Sequence, residues 1–336
     1  MMKKFFKLFA GMALTMAVAA GAMAEGELVA PKAFTDVNEP LTIVVGFAAG
    51  GGVDTAARMM AKYAQKYIPV PIVIVNQTGA SGVVSVTNSL KKPANGHTLI
   101  SLASGALIGD ITGVAKYDYL KDLDFVALQD TVPYALSFRK DDPRFSTREE
   151  FLKYVKDHPG EITVGLSGIN NANHFAALCL VRDYGYDMEL VPFNGSANAK
   201  TAFLGKHVDA FCETMLETKS MMDAGQSVCV CVFGDKPFTE ELPGVPTSHE
   251  LGLDLKISGT SRGYAFAKGT DPAIVDFISK VIGRALAEPE FLEEYAKIGI
   301  KNCVRYMDSK TYTEFQNAEH ANYKVLCDAL GITKKK

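Results

Sequence analysis

The sequence predicts an α/β protein of two lobes, each a mainly parallel sheet flanked by helices, with a cleft between them. Three observations predict it. Short apolar, β-branched runs alternate with helical segments along most of the 336 residues, the pattern of parallel strands joined by helices. The alternation starts at Leu41 and starts afresh at Ile162. Glycine-rich turns stand directly between strand and helix in both runs, at the sheet edge where α/β proteins gather their ligands.

In the first run, Leu41 to Phe47 reads as a strand, Val53 to Tyr67 as a helix, Ile72 to Val75 as a strand, Gly82 to Lys91 as a helix and His97 to Leu102 as a strand. Pro133 to Phe138 reads as a further strand. Thr147, with Glu150 three residues later, forms a capping box in which each side chain satisfies the other residue's backbone N–H, so a helix starts there. The second run places strands at Ile162 to Leu166, Glu189 to Pro192, Val208 to Cys212 and Val228 to Phe233, with helices from Asn171, Ser196 and Thr214 between them. Pro237 to Pro246, with three prolines and a glycine, reads as a loop. Leu255 to Ala267 is extended, and Asp271 to Ala287 is a helix with Pro272 at its favoured first position. Helices from Pro289 and Asp308 follow. Residues 259–336 hold too few strands for a third domain and are expected to return to the first lobe. The lobes are then 25–134 with 259–336, and 135–258, and the chain crosses between them twice.

The N-terminus carries Lys3, Lys4 and Lys7, then an apolar run from Leu8 to Ala20, then Ala22-Met23-Ala24. This is the pattern of a signal peptide, residues 1–24, cleaved after Ala24. Its apolar run of 13 residues is short of the roughly 20 that span a bilayer. Cleavage leaves 312 residues with 32 basic and 38 acidic side chains. Such a mildly acidic chain lacks the basic stripe of a nucleic-acid binder. The mature protein is expected to be a soluble monomer outside the cytoplasm. Its six cysteines, Cys179, Cys212, Cys229, Cys231, Cys303 and Cys327, show no CxxC pair and are expected to serve mostly as small buried hydrophobes. Asp122, Asp124, Asp141 and Asp142 read as members of solvated polar turns, so no metal site and no cofactor is expected.

The sharpest local signal is Gly46-Phe47-Ala48-Ala49-Gly50-Gly51-Gly52-Val53-Asp54, between a strand and a helix. Small residues let backbone approach a ligand, and the unpaired N–H groups of a helix's first turn favour an anion. A carboxylate can dock there without Arg or Lys; the alternative is a tight turn with no ligand. The segment lacks the Gly-Lys-Ser/Thr of a phosphate-binding loop, and Thr55 stands where a dinucleotide fingerprint needs Gly or Ala. Asn76 to Gly82, Leu166 to His174 and Phe193 to Ser196 occupy equivalent turns, so four loops are expected to face one cleft.

With these segments in order, the chain resembles the tripartite tricarboxylate transporter substrate-binding proteins, also called Bug receptors. The likeness covers nearly all of the mature chain. It rests on Leu41 to Asp54, Asn76 to Gly82, Pro93-Ala94-Asn95-Gly96-His97-Thr98-Leu99, Val191 to Asp209, and Pro243-Gly244-Val245-Pro246-Thr247 followed by Glu250-Leu251-Gly252. The resemblance implies a two-lobed periplasmic binding protein fold, type II-like, that closes around a small carboxylate, dicarboxylic, tricarboxylic or aromatic, and delivers it to membrane permease subunits. It implies that Phe47, Ala48, Ala49 and Gly50 hold one carboxylate, with Thr78 and Ser104 nearby. Ser167, Gly168, Asn171, Asn173 and His174 approach from the second lobe, with Ser196. The chain departs from the family's usual pattern at Asn194 and Glu213, and Glu213 joins the candidate ligand set. Arg262, near the second crossover, is placed to pair bidentately with a carboxylate; the alternative is a salt bridge at the surface or between lobes.

Two other functions use the same features. Ser167, His174 and Asp209 supply the residue types of a hydrolase triad, but Ile169 replaces the second Gly of a GxSxG elbow, and no enzyme is expected. A sensor subunit that hands its signal to a membrane receptor would share the cleft. His97 and His207 read as surface or satisfied structural residues.

Overall fold

The computed structural model describes residues 28–255 and 257–334; the expected signal peptide and its cleavage after Ala24 lie outside the described residues. Along the chain run α1 (Lys32–Thr35), β1 (Leu41–Val45), α2 (Gly52–Ala64), β2 (Ile72–Asn76), α3 (Val83–Ser89), β3 (Thr98–Leu102), α4 (Ser104–Ile111) and β4 (Leu123–Arg139). Then follow α5 (Arg148–Asp157), β5 (Thr163–Leu166), α6 (Ala172–Tyr184), β6 (Glu189–Pro192), α7 (Ser196–Leu204), β7 (Ala210–Thr214), α8 (Met215–Asp223) and β8 (Ser227–Val232). The chain closes with β9 (Gly259–Ala267), α9 (Pro272–Ala287), α10 (Pro289–Lys297), β10 (Val304–Met307) and α11 (Ser309–Ala329).

The strands form two mixed sheets that share β4. In the first, β2, β1 and β3 are parallel neighbours, β9 lies antiparallel between β3 and β4, and β10 pairs with the far side of β4. In the second, β6, β5 and β7 are parallel, and β4 lies antiparallel to both β7 and β8. The parallel trios are what the alternating sequence predicts. The antiparallel strands sit where the sheets meet.

β4 runs 17 residues and changes sheets midway: its Leu123–Pro133 stretch pairs with β9, and Tyr134 to Arg139 pair with β7 and β8. Pro133, at the change, has no backbone N–H to offer a ladder, so neither sheet loses a donor there. The Tyr134 amide picks up the ladder again by donating to the Ser258 carbonyl at 2.8 Å. The sequence reading finds only the second half of this strand, because Asp124 reads as part of a solvated polar turn and the polar Gln129 and Asp130 interrupt the apolar run. Asp130 and Gln129 are in fact buried, each within a polar network. The helix α4 also escapes pattern reading: every residue from Ser104 to Ile111 is buried, and a segment apolar all round has no helical periodicity.

Local signals behave as their chemistry dictates. Thr147 Oγ1 accepts from the Glu150 amide and Glu150 Oε2 from the Thr147 amide, each at 3.2 Å. Asp271 caps α9 by accepting from the Ala273 amide, with Pro272 at the first position. His97 is structural, stacked on Phe34 with ring centroids 4.4 Å apart. All six cysteines are buried. Asp142 departs from its expected solvated turn. It is buried and bound by Arg139 at 3.0 Å and by Arg144 at 2.9 Å where β4 ends. Among the described residues no helix is long and apolar enough to cross a membrane.

Candidate ligand-binding cleft

The loop after β1 is shaped by its own side chains. Asp54, buried in the first turn of α2, accepts from the Gly50 amide at 2.8 Å and from Arg58 Nε at 2.8 Å. Asn76, at the end of β2, donates to Asp54 and to the Phe47 carbonyl. Burial alone would raise the Asp54 pKa, but Arg58, the Gly50 amide and Asn76 outweigh it and hold the carboxyl below its ordinary value. The turn is therefore preset, and the amides of the first turn of α2 point outward without helical partners.

Loops of the two sheets touch above this turn. Ser196, at the start of α7, accepts from the Gly52 amide at 3.4 Å; Ser81 Oγ donates to the Ile169 carbonyl at 2.9 Å; Asn194 Nδ2 reaches Thr78 Oγ1 at 3.5 Å. Between them lies a narrow cleft of about 40 Å³ lined from both sheets, and seven of the expected residues line it: Phe47, Ser104, Ser167, Asn171, Ser196, Glu213 and Arg262. Thr78, Ala48 and Gly168 lie at the loop contacts around it, with Ala48 against Gly195 and Gly168 against Ser81. Ala49 and Gly50 are exposed and are not among the residues that line it.

Asn173 and His174 support the cleft from behind. Asn173 Nδ2 donates to Ser167 Oγ at 3.1 Å, to the Cys212 carbonyl at 3.0 Å and to Glu213. His174 Nδ1 accepts from the Asn170 amide at 3.3 Å, and burial lowers its pKa below the ordinary value, so the neutral ring is the form that fits. Asn171 caps α6 through the His174 amide and donates to Ser167 Oγ. Gly105, in the first turn of α4, lies so close to the Ser81 turn that a Cβ would meet the Ser81 carbonyl at 2.2 Å. Gly105→Ala is expected to cost about 1–3 kcal/mol in urea unfolding through overpacking against backbone; an unchanged midpoint would show that the Ser81 loop yields freely.

Arg262 is not free to meet a ligand head-on. Its Nε and Nη2 grip Asp130 at 2.6 and 2.8 Å, and Nη1 donates to the Gly52 carbonyl at 2.7 Å. Both partners are buried within the first sheet, and Tyr295 adds a hydroxyl to Asp130 at 3.0 Å. Burial would lower the Arg262 pKa, but Asp130 more than compensates. Glu213 behaves in the opposite way. Burial first, and the nearby charge of Glu217 second, push its carboxyl up to about 8, so it holds a proton at neutral pH.

Sequence reasoning missed Tyr134, Thr214, Glu217 and Thr260, which also line the cleft. Tyr134 and Thr260 sit where β4 passes from one sheet to the other beside the start of β9, and Glu217 lies in the first turn of α8, four residues after Glu213 in β7; the passage of β4 and the strand-to-helix turn after β7 are the signals that point to them. The hydrolase constellation does not assemble. Asp209 lies at the other end of β5, bound to Thr163 Oγ1 at 2.6 Å and to Arg144, while Ser167 follows that strand's last residue.

Residues 56–332 match the model of the tripartite tricarboxylate transporter family receptor. The chain belongs to this family. Protein BugT of Bordetella pertussis is 27% identical to this receptor over 263 residues, 77% of this chain and 80% of BugT. The structure of the periplasmic binding protein BugD superposes with a TM-score of 0.81 at 25% identity, covering 89% of the receptor and all of BugD. MatC of Rhodopseudomonas palustris with malate bound gives 0.76 at 26% identity over 85% of the receptor and 98% of MatC. The receptor thus has the periplasmic binding protein fold that the family resemblance implies.

Proposed function

We propose that this receptor captures a small carboxylate in the periplasm, as a monomer, and presents it to the membrane permease subunits of a tripartite transporter, with no catalysis of its own. The observation that carries the reading is the cleft itself: the N-terminus of α2 and the hydroxyls of Ser104, Ser167 and Ser196 converge between two sheets. Helix-end amides and hydroxyls stabilise a carboxylate without a fixed counter-charge, which keeps release possible. The malate held by the MatC relative supports the ligand class.

The lobes of this reading are 25–134 with 259–336, and 135–258. A volume of about 40 Å³ is room for roughly one water, so entry requires the lobes to part. Parting breaks the contacts of Gly52 with Ser196, Ser81 with Ile169, and Asn194 with Thr78. Bending falls on β4 and β9, and ligand contacts from both sides favour the closed form.

Thermal unfolding of the ligand-stripped mature protein against mono-, di- and tricarboxylates tests the reading. A ligand at 100 times its dissociation constant adds about 2.7 kcal/mol, a midpoint rise of a few degrees at this size. Gly52→Val places carbon where Glu217 Oε1 lies 2.6 Å and Arg262 Nη1 3.3 Å from a Cβ, and is expected to remove the rise. A midpoint that no carboxylate moves would refute the carboxylate assignment.

A further inference from the structure

Behind the strands that join the two sheets lies a second, larger hollow. It holds about 330 Å³, against about 40 Å³ in the cleft, and so falls within the range of about 300–1,000 Å³ typical of small-molecule sites. Successive residues of a strand face opposite sides. On β9, Arg262 accordingly lines the cleft, while Ser261 turns to the hollow and donates to Glu319 of α11. One wall is the segment after β8, with the buried rings of Phe233 and Phe238; the other is β10 and α11, with Arg305, Asn322 and Leu326. Two cations line the space, Lys236 from the first wall and Arg305 from the second. Each rests on a ring, Lys236 Nζ 5.3 Å from the Phe238 centroid and Arg305 5.6 Å from that of Phe315, and neither forms an ion pair among the described residues. The acids there are Asp235, which is exposed, and Glu319, which burial pushes up to about 7 against the pull of Ser261 and Arg305. Near neutral pH two full positive charges therefore face one full and one partial negative charge.

We propose that this hollow is a second ligand site for a small organic anion with an apolar body, the anionic group held by Lys236 and Arg305 and the body resting on Phe233 and Phe238, and that an occupant favours the closed cleft. Arg and Lys are the side chains that grip carboxylates and phosphates best, and here they come from the two opposing walls. The effect on the cleft rests on the opening motion proposed above. With β4 and β9 as the bending strands, parting the lobes in front brings the walls behind together, and an occupant resists that approach. By linkage, the occupant and the cleft ligand tighten each other's binding by the same factor.

Calorimetric titration of the stripped mature protein with phenyl phosphate and with benzoate tests the site, and the tighter of the two names the anionic group. Binding is expected to persist within about threefold in Gly52→Val, where the cleft is blocked, and to weaken at least about tenfold in Lys236→Gln and in Arg305→Gln. A probe whose binding Gly52→Val abolishes sits in the cleft and overturns the site. Binding unchanged in the double variant of Lys236→Gln and Arg305→Gln, or no binding of either probe, overturns it too. Both cations are exposed, so these variants keep the fold; should Gly52→Val not fold, the double variant decides alone. The coupling is read from any carboxylate that raises the wild-type midpoint. Saturating probe is expected to tighten its binding about fivefold or more, and unchanged affinity overturns the coupling. If no carboxylate moves the midpoint, the receptor reading fails while the probe titrations still decide the site.

Discussion

Replacing Arg262 by Met is expected to cost about 3–5 kcal/mol of unfolding free energy, because it strands a carboxylate in the protein interior. Asp130 is fully buried, and without Arg262 its remaining hydrogen bond is from the Tyr295 hydroxyl. The Gly52 carbonyl loses its donor in the same stroke. Urea unfolding reads the cost as a lower midpoint at unchanged slope. The double replacement of Arg262 by Met and Asp130 by Leu is expected to recover much of it, since removing both charges also removes their desolvation. A single-variant loss below about 1 kcal/mol, the range of exposed pairs, would show that water reaches the pair.

Raising the pH from about 5 to 8 is expected to weaken the folded protein through Glu213. Below its ordinary value of 4.5 the carboxyl is protonated whether the chain is folded or not, and stability is insensitive to it. Between 4.5 and about 8 the unfolded chain gives up the proton and the folded protein keeps it, so each rise in pH favours unfolding. Above that window both states are ionised and the effect levels off. A single proton sets a slope of up to about 1.4 kcal/mol per pH unit. Glu319, bound by Ser261 and raised by burial to about 7, acts with the same sign. Glu213→Gln should therefore flatten most, not all, of the slope in denaturation series at fixed ionic strength. A slope unchanged by the substitution would mean that Glu213 is ionised in the folded protein.

Much of this was legible in the residues themselves. The parallel trios, the capping box at Thr147 and the Pro272 helix start follow from local chemistry, and the structure keeps them. The long strand from Leu123 was hidden because its polar residues are paired inside rather than solvated, a fact that lives in contacts between Asp130 and Arg262, 132 positions apart. The cleft was half legible. Glycine turns point to Phe47, Ser167 and Ser196, since strand-to-helix turns share one sheet edge. Tyr134 and Thr260 enter only through the crossing of two strands, which no local pattern encodes. Arg262 shows the limit most clearly: its residue type announces an anion, and the tertiary fold supplies that anion as Asp130.

β4 is a member of two sheets at once, and this limits how the halves of the molecule can come apart. Neither half owns a complete set of ladder partners without it, so melting one sheet strips the other of its central neighbour. Loss of structure in one half should propagate into the other as a single cooperative event. Movement between the halves is likewise confined: a shared strand flexes and twists, but it forbids the two bodies to slide past one another. The loops at the cleft mouth therefore return to the same register after every excursion.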